Sequence, residues 1–145
     1  MSVEQNKAAA RRILESYNAG QQAAKAVRDE LFASDVVIHF PGMPEPIRGR
    51  EAFEPLITMF AAAFGDDHLS VEDQVAEADK VTTRWTWSFT YHGEFQGIPA
   101  TGKRVTVTGI NLERFTGGKL VERWVEMDQV GMLQQLGAIP APGGG

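Results

Sequence analysis

The sequence predicts an α+β domain in which N-terminal helices pack on one face of a curved antiparallel sheet. Three observations carry that prediction. Apolar residues up to position 64 recur at the three- and four-residue spacing of helices, and from position 69 onward they alternate with polar neighbours. The pair Gly117-Gly118 then folds two of the alternating segments onto each other.

Residues 3–17 place Ala10, Ile13, Leu14 and Tyr17 on one side and Glu4, Lys7, Arg11 and Glu15 elsewhere, which is an amphipathic helix ended by Asn18-Ala19-Gly20. A second helix over 22–32 carries the stripe Ala23, Ala26, Val27, Glu30 and Leu31, and the β-branched run Val36-Val37-Ile38 marks a strand. "PGMPEP" (41–46) must be a loop, because three prolines remove amide donors that regular structure needs. Residues 51–64 form a third helix, with Phe53, Leu56, Ile57, Phe60 and Phe64 on one side.

"GDDH" (65–68) marks the change of period. Leu69, Val71 and Val75, then Val81, Thr83, Trp85, Trp87, Phe89 and Tyr91, alternate with polar neighbours as strands do. "GEFQGIPATGK" (93–103) reads as a loop, "RVTVTGINLERF" (104–115) resumes the alternation, and "WVEMDQVGMLQQLG" (124–137) begins as a strand and ends as a short helix. The aromatic face of Trp85, Trp87, Phe89 and Tyr91 is expected to pack in a core or a dimer contact, or to stack on a planar ligand. Arg84 lies opposite it.

A chain of 145 residues forms one domain, placed at 1–139, with a flexible tail over 140–145, "PAPGGG". Its 43% hydrophobic and 23% charged content belongs to a soluble globular protein. No apolar run approaches the roughly 20 residues of a membrane span, and the charged N-terminus is unlike a secretory signal, so no membrane partner and a cytoplasmic location are expected. The net charge of −5 opposes nucleic-acid binding. With no cysteine there is no disulfide, thiolate metal site or cysteine nucleophile. His39, His68 and His92 lack the spacing of a metal site, so no metal is expected, and His68 and His92 read as exposed turn residues. "TGGK" lacks Walker spacing and no G-x-S-x-G elbow is present.

The Gly-Gly turn sets a register. If Thr116 pairs with Lys119, one sheet face holds Asp128 opposite Val107, Glu126 opposite Gly109, Trp124 opposite Asn111 and Glu122 opposite Glu113. The other face receives Thr108, Ile110 and Leu112 against Met127, Val125 and Arg123. A face that mixes Trp124, Val105 and Val107 with Asn111 and carboxylates resembles the lining of a pocket. Asp128 then has two readings. It is either the N-cap of the helix starting near Gln129, or a carboxylate beside Trp124 whose lost hydration raises its pKa toward acid/base use. His39 alternates with Ile38 and Phe40 and is either a second proton carrier in the same cavity or a structural histidine.

Taken together, "WVEMDQVGMLQQLG", "GEFQGIPATGKRVTVTGI" and "VVIHFPG" resemble the SnoaL-like polyketide cyclases of the nuclear transport factor 2-like superfamily, over residues 6–137. The resemblance implies a cone-shaped domain, helices closing a strongly bent antiparallel sheet around an apolar cavity, commonly as a homodimer. It implies intramolecular aldol ring closure on an apolar carbonyl compound, without metal, cofactor or Schiff base. Asp128 matches the family's general acid/base and would look into the cavity. With it go His39 as catalytic candidate and Asn111, Trp124, Glu126, Glu113 and Phe95 as substrate-binding candidates, Asn111 being the nearest donor for an enolate oxygen. The family's histidine-type partners on the last two strands are replaced here by Asn111, Glu113 and Glu126. Isomerisation or epoxide hydrolysis on the same scaffold, or a non-catalytic module holding a small apolar ligand, are the rival readings. Proton transfer by Asp128 requires its carboxylate to face a dry chamber rather than bulk solvent.

Overall fold

The computed structural model describes residues 2–140. The expected tail, apart from Pro140, lies outside the described residues. Helix α1 (Val3–Glu15) starts with a reciprocal cap: Ser2 Oγ accepts from the Gln5 amide at 3.0 Å, and Gln5 Oε1 accepts from the Ser2 amide at 2.9 Å. Ala10, Ile13 and Leu14 face inward as expected. A 3₁₀ turn (Ser16–Ala19) and Gly20, at φ +105°, redirect the chain into α2 (Gln21–Leu31). The inward residues of α2 are Ala24 and Arg28 rather than Ala26 and Glu30, which are exposed. Charge explains the offset. Arg28 is buried because Glu54 accepts from it at 2.8 and 2.9 Å and the Tyr17 hydroxyl at 2.9 Å, so a cation fills a core position that hydrophobicity would not select.

Strands β1 (Phe32–His39) and β2 (Ile47–Arg48) precede α3 (Arg50–Ala63), and β3 (Phe64–Glu77), β4 (Lys80–Tyr91), β5 (Arg104–Thr116), β6 (Lys119–Met127) and α4 (Gln129–Leu136) follow. The six strands form one open sheet in the order β2-β1-β6-β5-β4-β3. The sheet is mixed, not wholly antiparallel, because β1 runs parallel to β6. The hairpins force antiparallel pairing on their own strands, whereas β1 meets β6 across most of the chain, where no turn dictates direction.

The sheet has register shifts at four places, and two of them shape the site. In β3, Gly65 pairs with Thr90 and His68 with Ser88, so Asp66 and Asp67 together oppose Phe89, and Asp66 takes φ +50°. "GDDH" therefore lies inside a strand instead of between a helix and a strand. In β6, Phe115 pairs with Leu120 but Arg114 pairs with Glu122, which leaves Val121 as an extra residue. The hairpin itself forms as expected, with Thr116 opposite Lys119 and Gly117 and Gly118 at φ +57° and +82°. Beyond Val121 every partner is displaced by one: Leu112 faces Trp124, Asn111 faces Val125 and Gly109 faces Met127. Since side chains alternate with period two, that single residue exchanges the faces of the rest of β6.

The aromatic stripe of β4 is interior, with Trp85, Phe89 and Tyr91 buried and Trp87 partly so. One core cluster gathers Phe32, Ile38, Phe53, Phe115 and Leu120; a second gathers Phe64, Phe89, Tyr91, Phe95 and Leu136. Burying each such side chain stabilises the fold by about 1.5–3 kcal/mol. Leu14, Leu69, Trp85 and Val125 form a third, smaller cluster.

Candidate active site

A cavity of about 120 Å³ lies between the helices and the concave side of the sheet, walled largely by Phe40, Phe53, Phe60, Trp85, Trp87 and Val125. A single water needs only about 10–15 Å³ on the same measure, so the interior is not plugged by its own side chains. Its polar groups are few: Tyr17, Gln21, Asp67, Asn111 and Arg123.

Asn111 and Arg123 sit on the adjacent inner faces of β5 and β6. Asn111 is 2% exposed, and its Oδ1 accepts from Trp85 Nε1 at 3.1 Å, which leaves the amide Nδ2 as a donor. Arg123 donates from Nε to Glu113 Oε2 at 2.8 Å, with Nη2 also 2.7 Å from that oxygen, and its guanidinium lies 5.2 Å from the Phe32 ring centroid. Glu113 is fully buried and its Oε1 has no hydrogen-bond partner. The pair therefore places a neutralised cation, still polar at one edge, in an apolar wall.

Tyr17 and Asp67 stand elsewhere on the wall. Burial pushes the Tyr17 phenol upward, while Arg28 and Arg123 pull it the other way. Asp67 Oδ2 accepts from Trp87 Nε1 at 2.9 Å, and burial raises the carboxyl above its ordinary value, opposed chiefly by that hydrogen bond. Tyr17, Gln21, Ala61 and Asp67 also line an adjoining open hollow that includes Asp66, Asn18 and Gly20. These four residues border both the hollow and the cavity.

Of the residues expected from sequence, Asn111 reaches the cavity and Glu113 stands behind it, holding Arg123. Asp128 does not face the cavity. Its side chain is exposed, caps α4 by accepting from the Gly131 amide at 2.9 Å, and lines an outer groove with Arg84, Thr108, Ile110 and Glu126. The Val121 bulge is the reason, since it turns Met127 inward in place of its neighbours. Glu126 is exposed in the same groove. Trp124 also lies on the outer side, stacked on His39 with centroids 5.1 Å apart and planes 6° apart. His39 Nε2 is 2.8 Å from Glu122 Oε2, which also accepts at its other oxygen from Arg114 at 3.2 Å, while Ile38 and Phe40 point inward. Phe95 is core, packed on Phe60 and Phe64 behind the wall. His68 and His92 are exposed, His68 within β3 rather than in a turn.

Sequence reasoning missed Asp67, Arg123, Tyr17 and Gln21. Asp67 was hidden by its position in an apparent turn, and Arg123 by the unbulged register. The only available signal was a double Asp immediately after an apolar helix. Among the described residues no group of three His, Cys, Asp or Glu is arranged to hold a metal, and no helix is long and apolar enough to cross a membrane.

A helix-covered open sheet with an apolar cavity and a few polar groups has the general form of a small-molecule pocket. Residues 7–136 match the family model for SnoaL-like polyketide cyclase, and the chain belongs to that family, with its nuclear transport factor 2-like fold. It is 30% identical over 130 residues to aklanonic acid methyl ester cyclase DnrD of Streptomyces peucetius, covering 88% of this chain and 87% of that protein. The crystal structure of IdmH from Streptomyces antibioticus, proposed to be a polyketide cyclase, superposes with a TM-score of 0.80 at 35% identity, over 92% of this chain and 99% of that one. AclR from Streptomyces galilaeus, proposed to be a hydroxylase, gives a TM-score of 0.83 at 27% identity, over 97% and 89%.

Proposed function

We propose that this protein is a cyclase-type enzyme that closes a carbon ring within a polyketide-like carbonyl compound held in the apolar cavity. The observation that carries the reading is the placement of the Asn111 amide and the Arg123 guanidinium on neighbouring strands of a largely apolar wall. Ring closure by intramolecular aldol addition needs a folded chain, removal of a proton beside a carbonyl, and donors for the oxygen on which charge develops. The aromatic walls supply the first, and Asn111 and Arg123 supply the donors. The likeness to DnrD supports the same reading.

Aklanonic acid methyl ester, which names the DnrD activity, is the substrate to try. The expected result is an isomer of unchanged mass with one additional ring, formed faster than in buffer. Saturable binding of the ester with unchanged ester recovered overturns the reading in favour of a binding module. A product of different mass overturns it in favour of another reaction on the scaffold. The expected homodimer is carried into this proposal, and a monomer mass by light scattering at micromolar concentration removes it.

A further inference from the structure

We propose that Asp67, which lines both the cavity and the adjoining hollow, is the residue that takes and returns the proton during the reaction. The proposal rests on the cyclase-type reading but assigns it a group that neither the family match nor the relatives specify.

Among the carboxylates of the described residues, Asp67 is the one that lines the cavity itself. Glu113 is sealed behind Arg123 and engaged with it, Glu54 is engaged with Arg28, and Asp128 and Glu126 open onto the outer groove. Backbone geometry accounts for the placement. In a regular strand one residue would oppose Phe89, but the bulge puts two there, and Asp66 adopts a left-handed conformation that lets Asp67 swing toward Trp87. Trp87 Nε1 holds one carboxylate oxygen, and the other remains to meet a guest.

The surroundings suit a base that must also act as an acid. Burial in the aromatic wall raises the carboxyl; the Trp87 donor, its own backbone amide and Arg104 oppose this, and exposed Asp66 adds to it. Tyr17 lines the same two spaces, and its hydroxyl oxygen accepts from Arg28. A carboxylate whose carboxyl is raised from its ordinary value is a stronger base than a free one.

The step balances without any co-reactant. Asp67 removes a proton from the carbon between two carbonyl groups; the C–H electron pair moves to the enolate oxygen, which Asn111 Nδ2 and Arg123 stabilise. The enolate carbon then bonds to the carbon of a third, ketone carbonyl elsewhere in the same molecule, and that carbonyl's π pair becomes an alkoxide. Protonation of the alkoxide by the Asp67 carboxylic acid restores the carboxylate and yields a tertiary alcohol, so substrate and product are isomers.

The test compares wild type with Asp67→Asn, Asp67→Glu and Asp128→Asn, using aklanonic acid methyl ester and two readouts: ring closure, and deuterium uptake from D2O at the ester's activated carbon by NMR. Asp67→Asn is expected to keep its thermal midpoint and KM within threefold and to lose about 10²–10⁴-fold in kcat and in exchange rate. It should also lose the acidic limb of the pH profile, and Asp67→Glu should recover part of the rate. Retention of more than a third of wild-type activity by Asp67→Asn overturns the proposal, as does loss of both readouts in Asp128→Asn alone. If wild type exchanges deuterium through Asp67 without closing a ring, the cyclase reading falls while the assignment of Asp67 stands. If wild type does neither, both fall.

Discussion

Trp85 and Asn111, on neighbouring strands, are joined by a 3.1 Å hydrogen bond from the indole Nε1 to the amide Oδ1, inside the wall of the cavity. That bond fixes which end of the amide faces a guest. Replacing Asn111 by Leu removes a donor aimed at developing charge and is expected to lower kcat by about 10²–10³-fold with little change in KM. Trp85→Phe keeps an aromatic ring but frees the amide to turn. Its expected cost is a smaller loss of kcat and about 1 kcal/mol of stability, read from steady-state kinetics and urea unfolding.

Gly109 lies against the same indole. A Cβ there would meet Trp85 Cζ2 at 2.3 Å and Cη2 at 2.5 Å, and the Glu126 carbonyl oxygen at 2.7 Å. With backbone on one side, the only relief is a shift of the Trp85 ring. Gly109→Ala should therefore destabilise by about 1–3 kcal/mol and quench or shift tryptophan fluorescence, as the ring is driven toward the cavity.

The Glu113–Arg123 pair is buried on both sides, at 0% and 7% side-chain exposure. Truncating Glu113 to Ala strands a cation and should cost about 3–5 kcal/mol, whereas the double change Glu113→Leu with Arg123→Met should recover most of that stability. Activity separates the two partners. The double variant, although stable, is expected to lose turnover because Arg123 has gone from the wall; full turnover in it would remove Arg123 from the mechanism.

On the outer face, the hydrogen bond from His39 lowers the Glu122 carboxyl, helped by Arg114 and opposed by partial burial. A carboxyl depressed in the folded state contributes stability above its unfolded value, about 4.3, and loses it as pH falls through the folded value. Stability measured from pH 6 downward should fall less steeply in Glu122→Gln than in wild type. The difference is expected to stay below about 1 kcal/mol, because the group is partly solvated. An unchanged slope would show that the contact forms equally in the unfolded chain.

Much of this architecture is legible in the sequence because it depends on periodicity. The alternation through Trp85, Phe89 and Tyr91 places those rings on one interior face, and Gly117-Gly118 supplies the turn that the hairpin needs. The site is less legible because it depends on exceptions to periodicity. No composition marks Val121 as an extra residue, yet it decides whether Trp124 or Arg123 faces the cavity. Asp67 occupies an inward position only because Asp66 absorbs an unusual backbone angle. Arg28 breaks the apolar stripe of α2 for the sake of partners that are 11 and 26 residues away in the chain. Asn111 was identifiable because β5 runs without interruption from the turn to that residue.

The unpaired valine just after the turn also sets a rule for transplanting parts between family members. A graft of the last strand from a donor lacking that insertion would arrive half a pleat out of phase, with Glu126 and Trp124 turned to the interior and Arg123 to water. In an alignment such a donor would show a one-residue gap between the turn and Glu122. Chimeras of this scaffold should therefore be joined on the helix side of Met127, so that the host keeps Val121 and the phase of its own last strand.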